Sequence, residues 1–159
     1  MYAVTAGYPY FVQAYGKAVW DVAVGPEITV DDVRVAAPEA EAELAVGFFG
    51  SRYERATPAE REYLRAMAEA AYSAVADAHS GGGGAGDGDG SGAEAPGASA
   101  VELDAVPTAD VAALLGKKPQ SLSPARDSLM KKGLIYSGER GLIAFTVPHF
   151  GRYLRTHPD

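Results

Sequence analysis

The 159-residue chain is 47% hydrophobic, enough for a core, and contains no cysteine, which excludes disulfides and thiolate metal centres. Its formal net charge of −7 is unevenly spread: residues 1–76 carry 6 basic and 11 acidic side chains, residues 77–110 carry 0 and 7, and residues 111–159 carry 8 and 3. The whole is too acidic for a general nucleic-acid coat, yet its basic C-terminal third has the sign that a phosphate backbone attracts.

His79, His149 and His157 are scattered without ligand spacing, so no metal or other cofactor is expected. No run approaches the roughly 18 apolar residues of a membrane span, and MYAVTAG lacks the basic start and apolar centre of a secretory signal. A cytoplasmic protein without membrane attachment is the expectation.

In chain order, Gly7-Tyr8-Pro9 reads as a helix entry, with proline where its missing N–H costs nothing. Tyr8, Phe11, Val12, Tyr15, Val19 and Val22 then recur at helical spacing, with Trp20 adding to the stripe. Gly25-Pro26 breaks the chain. Thr29 and Asp32 form a capping box for a second helix, whose apolar positions are Val33, Ala37, Ala40, Leu44 and Phe48; Pro38 is expected to kink or split it. Thr57-Pro58-Ala59-Glu60 is the clearest start signal, and Tyr63, Leu64, Met67, Ala71, Ala74 and Val75 mark the buried face of the helix that follows.

From Asp77 to Ala100 the periodicity vanishes in a glycine-rich, acidic stretch, expected to be a disordered insert because it cannot bury enough surface to offset its ordering entropy. It lacks the spaced oxygen ligands and final glutamate of a calcium loop. Val101-Glu102-Leu103 suggests a short strand. Thr108 starts a short helix with Val111, Leu114 and Leu115 inward, ended by Gly116. Residues 118–147 then predict a helix with Leu122, Ala125, Leu129 and Met130 buried, a stop at Gly133, and two strands, Leu134–Tyr136 and Leu142–Val147, joined by Ser137-Gly138-Glu139-Arg140-Gly141. Pro148 to Arg155 forms a last helix through Phe150, Tyr153 and Leu154.

The fold class predicted is mainly α: a small helical lid-like segment over residues 1–56, then a winged helix-turn-helix with a short β-hairpin wing over 57–159, interrupted by the insert at 77–100. In such a unit the second helix enters the major groove, and lysines with the helix amide end hold phosphates. Gln120, Ser121, Ser123 and Arg126 are the candidates for base edges, Lys117, Lys118, Lys131 and Lys132 for phosphates, and Arg140 at the wing tip for the minor groove or backbone. Against this, Asp127 and Glu139 share those elements, and Lys131-Lys132 also suit a helix C-terminus. The aromatic residues Tyr8, Tyr10, Phe11, Tyr15 and Trp20 read first as the core of a helical subdomain and second as a docking face.

Nothing in the chain reads as catalytic. Ser121 and Ser123 have no histidine at a defined relation, and Leu115-Gly116-Lys117-Lys118 lacks the leading glycine and hydroxyl of a phosphate loop.

The ordered blocks GYPYFVQAYGKAVWDVA, ITVDDV, FFGSRYERATPAEREYLRAMA and VAALLGKKPQSLSPARDSLMKKGLIYSGERGLIAFTVPHFGRYLR resemble the C-terminal half of bacterial AAA-type ATPases related to the origin-recognition and STAND groups. Gly7-Tyr8-Pro9 matches that family's entry to the lid helix, and Arg126 with Lys131-Lys132-Gly133-Leu134-Ile135 matches its recognition-helix end. The resemblance implies a lid and a winged domain that relay nucleotide state to DNA or a protein. The P-loop, Walker B acid and first sensor of the family would precede Met1, and no arginine stands at the second-sensor place, so ATPase activity does not carry over; the chain is expected to be a fragment or a remnant kept for binding. The expected function is a noncatalytic DNA-binding or regulatory module with double-stranded DNA as partner. The alternative is a protein-interaction module docking on a separate ATPase core or another protein through its aromatic N-terminal helices.

Overall fold

A computed structural model describes residues 1–80 and 105–157. The fold is mainly helical with one small three-stranded antiparallel sheet, and the chain forms two compact units, Met1–Thr57 and Pro58–Asp159.

The first unit begins with a helix of one turn that sequence periodicity does not reveal, α1 (Tyr2–Thr5), closed by Ala6 and Gly7 at positive φ. Thr5 is buried, and its hydroxyl both donates to the Met1 carbonyl and accepts from the Gly7 amide. Helix α2 (Pro9–Val22) starts at the expected proline and packs on α3 (Val30–Glu43). Ala14 and Ala18 of α2 and Ala36 and Ala40 of α3 are all buried, each pair one turn apart, so small side chains line this helix pair and permit close approach. Phe11, Tyr15 and Val19 are buried as expected. Val12 is 41% exposed and Trp20 77% exposed, because α2 buries a stripe rather than its full circumference.

Thr29 caps α3 through the expected box: the Asp32 amide donates to Thr29 Oγ1 at 3.2 Å, and the Thr29 amide donates to Asp32 Oδ2 at 2.8 Å. The bond from the Thr29 amide, together with one from the Thr29 hydroxyl to the same Asp32 oxygen at 2.7 Å, holds the Asp32 carboxyl below its ordinary value. Pro38 does not split the helix. It lies on the exposed side with Arg34, where water can satisfy the carbonyl whose intrahelical partner is lost. The chain then widens into a π-helical segment, Leu44–Gly50, before α4 (Ser51–Glu54). This segment turns Phe48 and Phe49 inward, edge-on to each other and to Phe11, and the Arg52 guanidinium lies 3.5 Å from the centroid of the Phe48 ring.

The second unit is built around α5 (Pro58–Ser80), which packs against three further helices, α6 (Thr108–Leu115), α7 (Pro119–Lys131) and α8 (Phe150–Thr156). Tyr63, Leu64, Met67 and Ala71 are buried as expected, whereas Ala74 and Val75 are exposed. The helix has 23 residues, its helical partners only 7 to 13, and Ala74 and Val75 lie in its last third. The helix also continues past Asp77 to Ser80. The rest of the expected insert, and the strand expected at Val101-Glu102-Leu103, lie outside the described residues.

The sheet has the order β1-β3-β2, with β1 (Val106–Pro107) and β2 (Ile135–Tyr136) flanking β3 (Leu142–Phe145). Val106 opposes Ile143, and Ile135 opposes Phe145; all four are essentially buried. In α6, Val111 and Ala112 face inward, while Leu114, expected inside, is 56% exposed on the side opposite Ala112. The last helix buries Phe150 and Leu154.

Candidate functional site

Local chemistry fixes both ends of α7. Lys118 precedes a proline and is held extended at φ −71°, ψ 141°, and Pro119 occupies the first helical turn. The Lys118 carbonyl accepts from the Ser121 amide at 3.0 Å and from the Ser121 hydroxyl at 2.7 Å. At the far end Gly133 adopts φ +70°, and the Leu134 amide reaches back to the Leu129 carbonyl. Thr146 then donates from its hydroxyl to the Gly133 carbonyl at 2.6 Å, tying this turn to the end of β3.

Between those ends Leu122 and Leu129 are buried, and Ala125 and Met130 are half-buried. Gln120, Pro124, Asp127 and Lys131 recur at four, three and four residues and form a solvated stripe, with Ser121 beside its start. Pro124 inside the helix removes an amide on this exposed side.

Eight of the nine expected site residues lie on α7 or at its two ends. Gln120, Ser121, Lys118 and Lys131 are exposed. Ser123 is half-buried and donates to the Pro119 carbonyl at 3.4 Å. Arg126 is half-buried, with Nε and Nη2 each 3.4 Å from Asp127 Oδ1, so its guanidinium lies along the helix surface. Beneath it, burial pushes the Tyr63 hydroxyl above the usual tyrosine range; Arg126 opposes that rise and Asp127 adds to it. Arg140, the ninth, stands exposed with Glu139 in the turn between β2 and β3.

Two lysines turn toward α5. Lys117 Nζ lies 2.8 Å from Glu62 Oε2, with both side chains about half exposed. Lys132 Nζ lies 2.6 Å from Glu60 Oε2, and the Glu60 side chain is only 4% exposed. Neither acid was among the site residues expected from sequence. The signal for Glu60 was present, since it stands three, four and seven residues before Tyr63, Leu64 and Met67 and therefore shares their buried face.

A cleft of about 590 Å³ lies on α5 and the end of α6, lined by Arg61, Glu62, Arg65, Glu69 and Leu114 among others. Among the described residues, no group of three or more histidine, aspartate or glutamate side chains is placed to hold a metal ion, and no helix is long and apolar enough to cross a membrane.

The model of a family described as "Domain of unknown function (DUF8462)" matches residues 46–81 and 98–154, more than half of the chain, and is interrupted at the glycine-rich stretch. No curated protein and no solved structure matches the chain.

Proposed function

We propose that this chain, which belongs to the DUF8462 family, is a noncatalytic module that binds duplex DNA through α7. The observation that carries the reading is the solvated face of α7, where Gln120 and Ser121 stand exposed between Lys118 at one end and Lys131 at the other. Gln and Ser side chains suit base edges, and the lysines suit phosphates. The order α5, β1, α6, α7, β2, β3 and the sheet order β1-β3-β2 support a winged helix-turn-helix, in which α7 is the recognition helix and the Arg140 turn is the wing. The resemblance of the sequence blocks to AAA-type proteins supports the same reading, in which residues 1–56 are a lid-like segment.

The test is a fluorescence-anisotropy titration of the purified chain with mixed-sequence duplex DNA at about 50 and about 200 mM salt, where counterion release makes phosphate-driven binding weaken steeply. Lys118→Ala/Lys131→Ala is expected to weaken binding at the lower salt. Absence of binding at the lower salt, or an unaffected double variant, overturns the reading.

A second reading rests on the first unit, where Trp20 is 77% exposed and Val24, Val35 and Val46 are each at least 67% exposed. Exposed apolar side chains of this size suit a protein partner. Under this reading Trp20→Ala abolishes capture of that partner and leaves DNA affinity unchanged.

A further inference from the structure

The lysines at the two ends of α7 are held by acids from the first turns of α5, and the two pairs differ in how firmly they are held. We propose that Glu62 and Glu60 occupy, inside the protein, the place of DNA phosphates, and that duplex DNA displaces Glu62 from Lys117 but leaves Glu60 on Lys132. This inference rests on the DNA-binding reading above.

The difference follows from burial. In the Lys117–Glu62 pair the side chains are 44% and 49% exposed, so the attraction is screened and Glu62 returns to water easily once Lys117 leaves. A phosphodiester offers Lys117 the same charge-assisted bond and releases counterions in forming it. In the Lys132–Glu60 pair the carboxylate is 4% exposed and stands on the helix face that carries Tyr63, Leu64 and Met67. Moving Lys132 to a phosphate would leave that carboxylate buried with its lysine gone, so the exchange is opposed.

One end of α7 is therefore anchored and the other is exchangeable. Lys117, Lys118, Lys131 and Arg140 contribute to phosphate binding and Lys132 does not, although sequence alone ranks Lys131 and Lys132 together. Glu62 lowers the affinity of the resting protein for DNA, because each binding event must break its bond to Lys117.

The experiment measures affinity of the full chain for mixed-sequence duplex DNA across salt from about 50 to about 200 mM. Glu62→Gln is expected to tighten binding about 3- to 10-fold, and the gain is expected to vanish in a Lys117→Met background, a coupling that generic removal of negative charge does not produce. Glu69→Gln serves as the control: this acid of α5 pairs with Arg155, not with α7, and a change smaller than that of Glu62→Gln is expected. Lys117→Met is expected to reduce the salt slope by about 0.9, whereas Glu60→Gln/Lys132→Met, which removes both charges of the pair, is expected to keep the wild-type slope. Circular dichroism confirms that each variant is folded. The inference is overturned if Glu62→Gln binds no tighter than wild type, if its gain survives in Lys117→Met, or if the Glu60/Lys132 double variant loses about 0.9 of slope. Absence of salt-sensitive binding by the wild-type chain is a different failure: it removes the DNA-binding function itself, and this inference with it.

Discussion

The Leu134 amide donates to the Leu129 carbonyl at 3.1 Å, and the Gly133 amide between them donates to the Met130 carbonyl at 3.0 Å, so α7 ends in a Schellman motif with both leucines buried. The motif needs a residue at φ +70°, which glycine supplies. A Cβ at position 133 would meet nothing within 4 Å, so the backbone conformation alone sets the effect of substitution. Gly133→Ala is expected to lower stability by about 1 kcal/mol in urea unfolding. Gly116, at φ +60° and in equally open space, ends α6 with the same pair of bonds, and Gly116→Ala is expected to match it.

Removing one partner of the Lys132–Glu60 pair should cost more than removing both. Lys132→Met takes the lysine charge away from the nearly buried Glu60 carboxylate, for an expected loss of about 2 kcal/mol, and adding Glu60→Gln restores most of it. Urea midpoints of the two single variants and the double variant check this. Equal losses in Lys132→Met and in the double variant would show that the buried Glu60 charge does not depend on the lysine.

At Gly151 an added Cβ would be tightly placed. It lies in α8, and a Cβ there would approach the Phe145 ring to 3.1 Å, with the Ala68 Cα at 3.9 Å. Glycine to alanine in a helix ordinarily stabilises by roughly 0.8–1 kcal/mol. Phe145 is 1% exposed and packs edge-on against Phe150, so its ring has little freedom to yield. Gly151→Ala is therefore expected to destabilise by about 1 kcal/mol, read from thermal unfolding.

Asp32 sets an acid-dependent contribution in the first unit. Its folded pKa is lowered by bonds from the Thr29 backbone and side chain, so this contribution is complete above the unfolded carboxylate pKa and is lost as pH falls through the folded value. The stability gap between wild type and Asp32→Asn is expected to be widest near neutral pH and to close below about pH 4. Unfolding curves of both proteins across that range measure it. A gap that stays constant with pH would show that the capping bond does not depend on charge.

Much of the chain's local architecture was legible because its signals act within a few residues. Pro9 and Pro58 open their helices, Thr29 and Asp32 cap theirs, and Gly116 and Gly133 end theirs. The short strands after α7 were also readable from their apolar runs and intervening glycines. The π-helical segment at Leu44–Gly50 left no comparable signal, since its aromatic residues also fit an ordinary helical stripe.

By itself, then, the sequence determined where most described helices begin and end and that the basic charge gathers around α7, because caps, prolines, left-handed glycines and charge composition are local properties. Only the tertiary structure decided which side of each helix is covered. It exposed Val12, Ala74, Val75 and Leu114 and buried Ala14, Ala18 and Ala112, since burial depends on the length and position of neighbouring elements. It also decided which lysines turn inward. Lys117 meets an acid 55 residues earlier and Lys132 one 72 residues earlier, and such pairings exist only after α5 and α7 have packed.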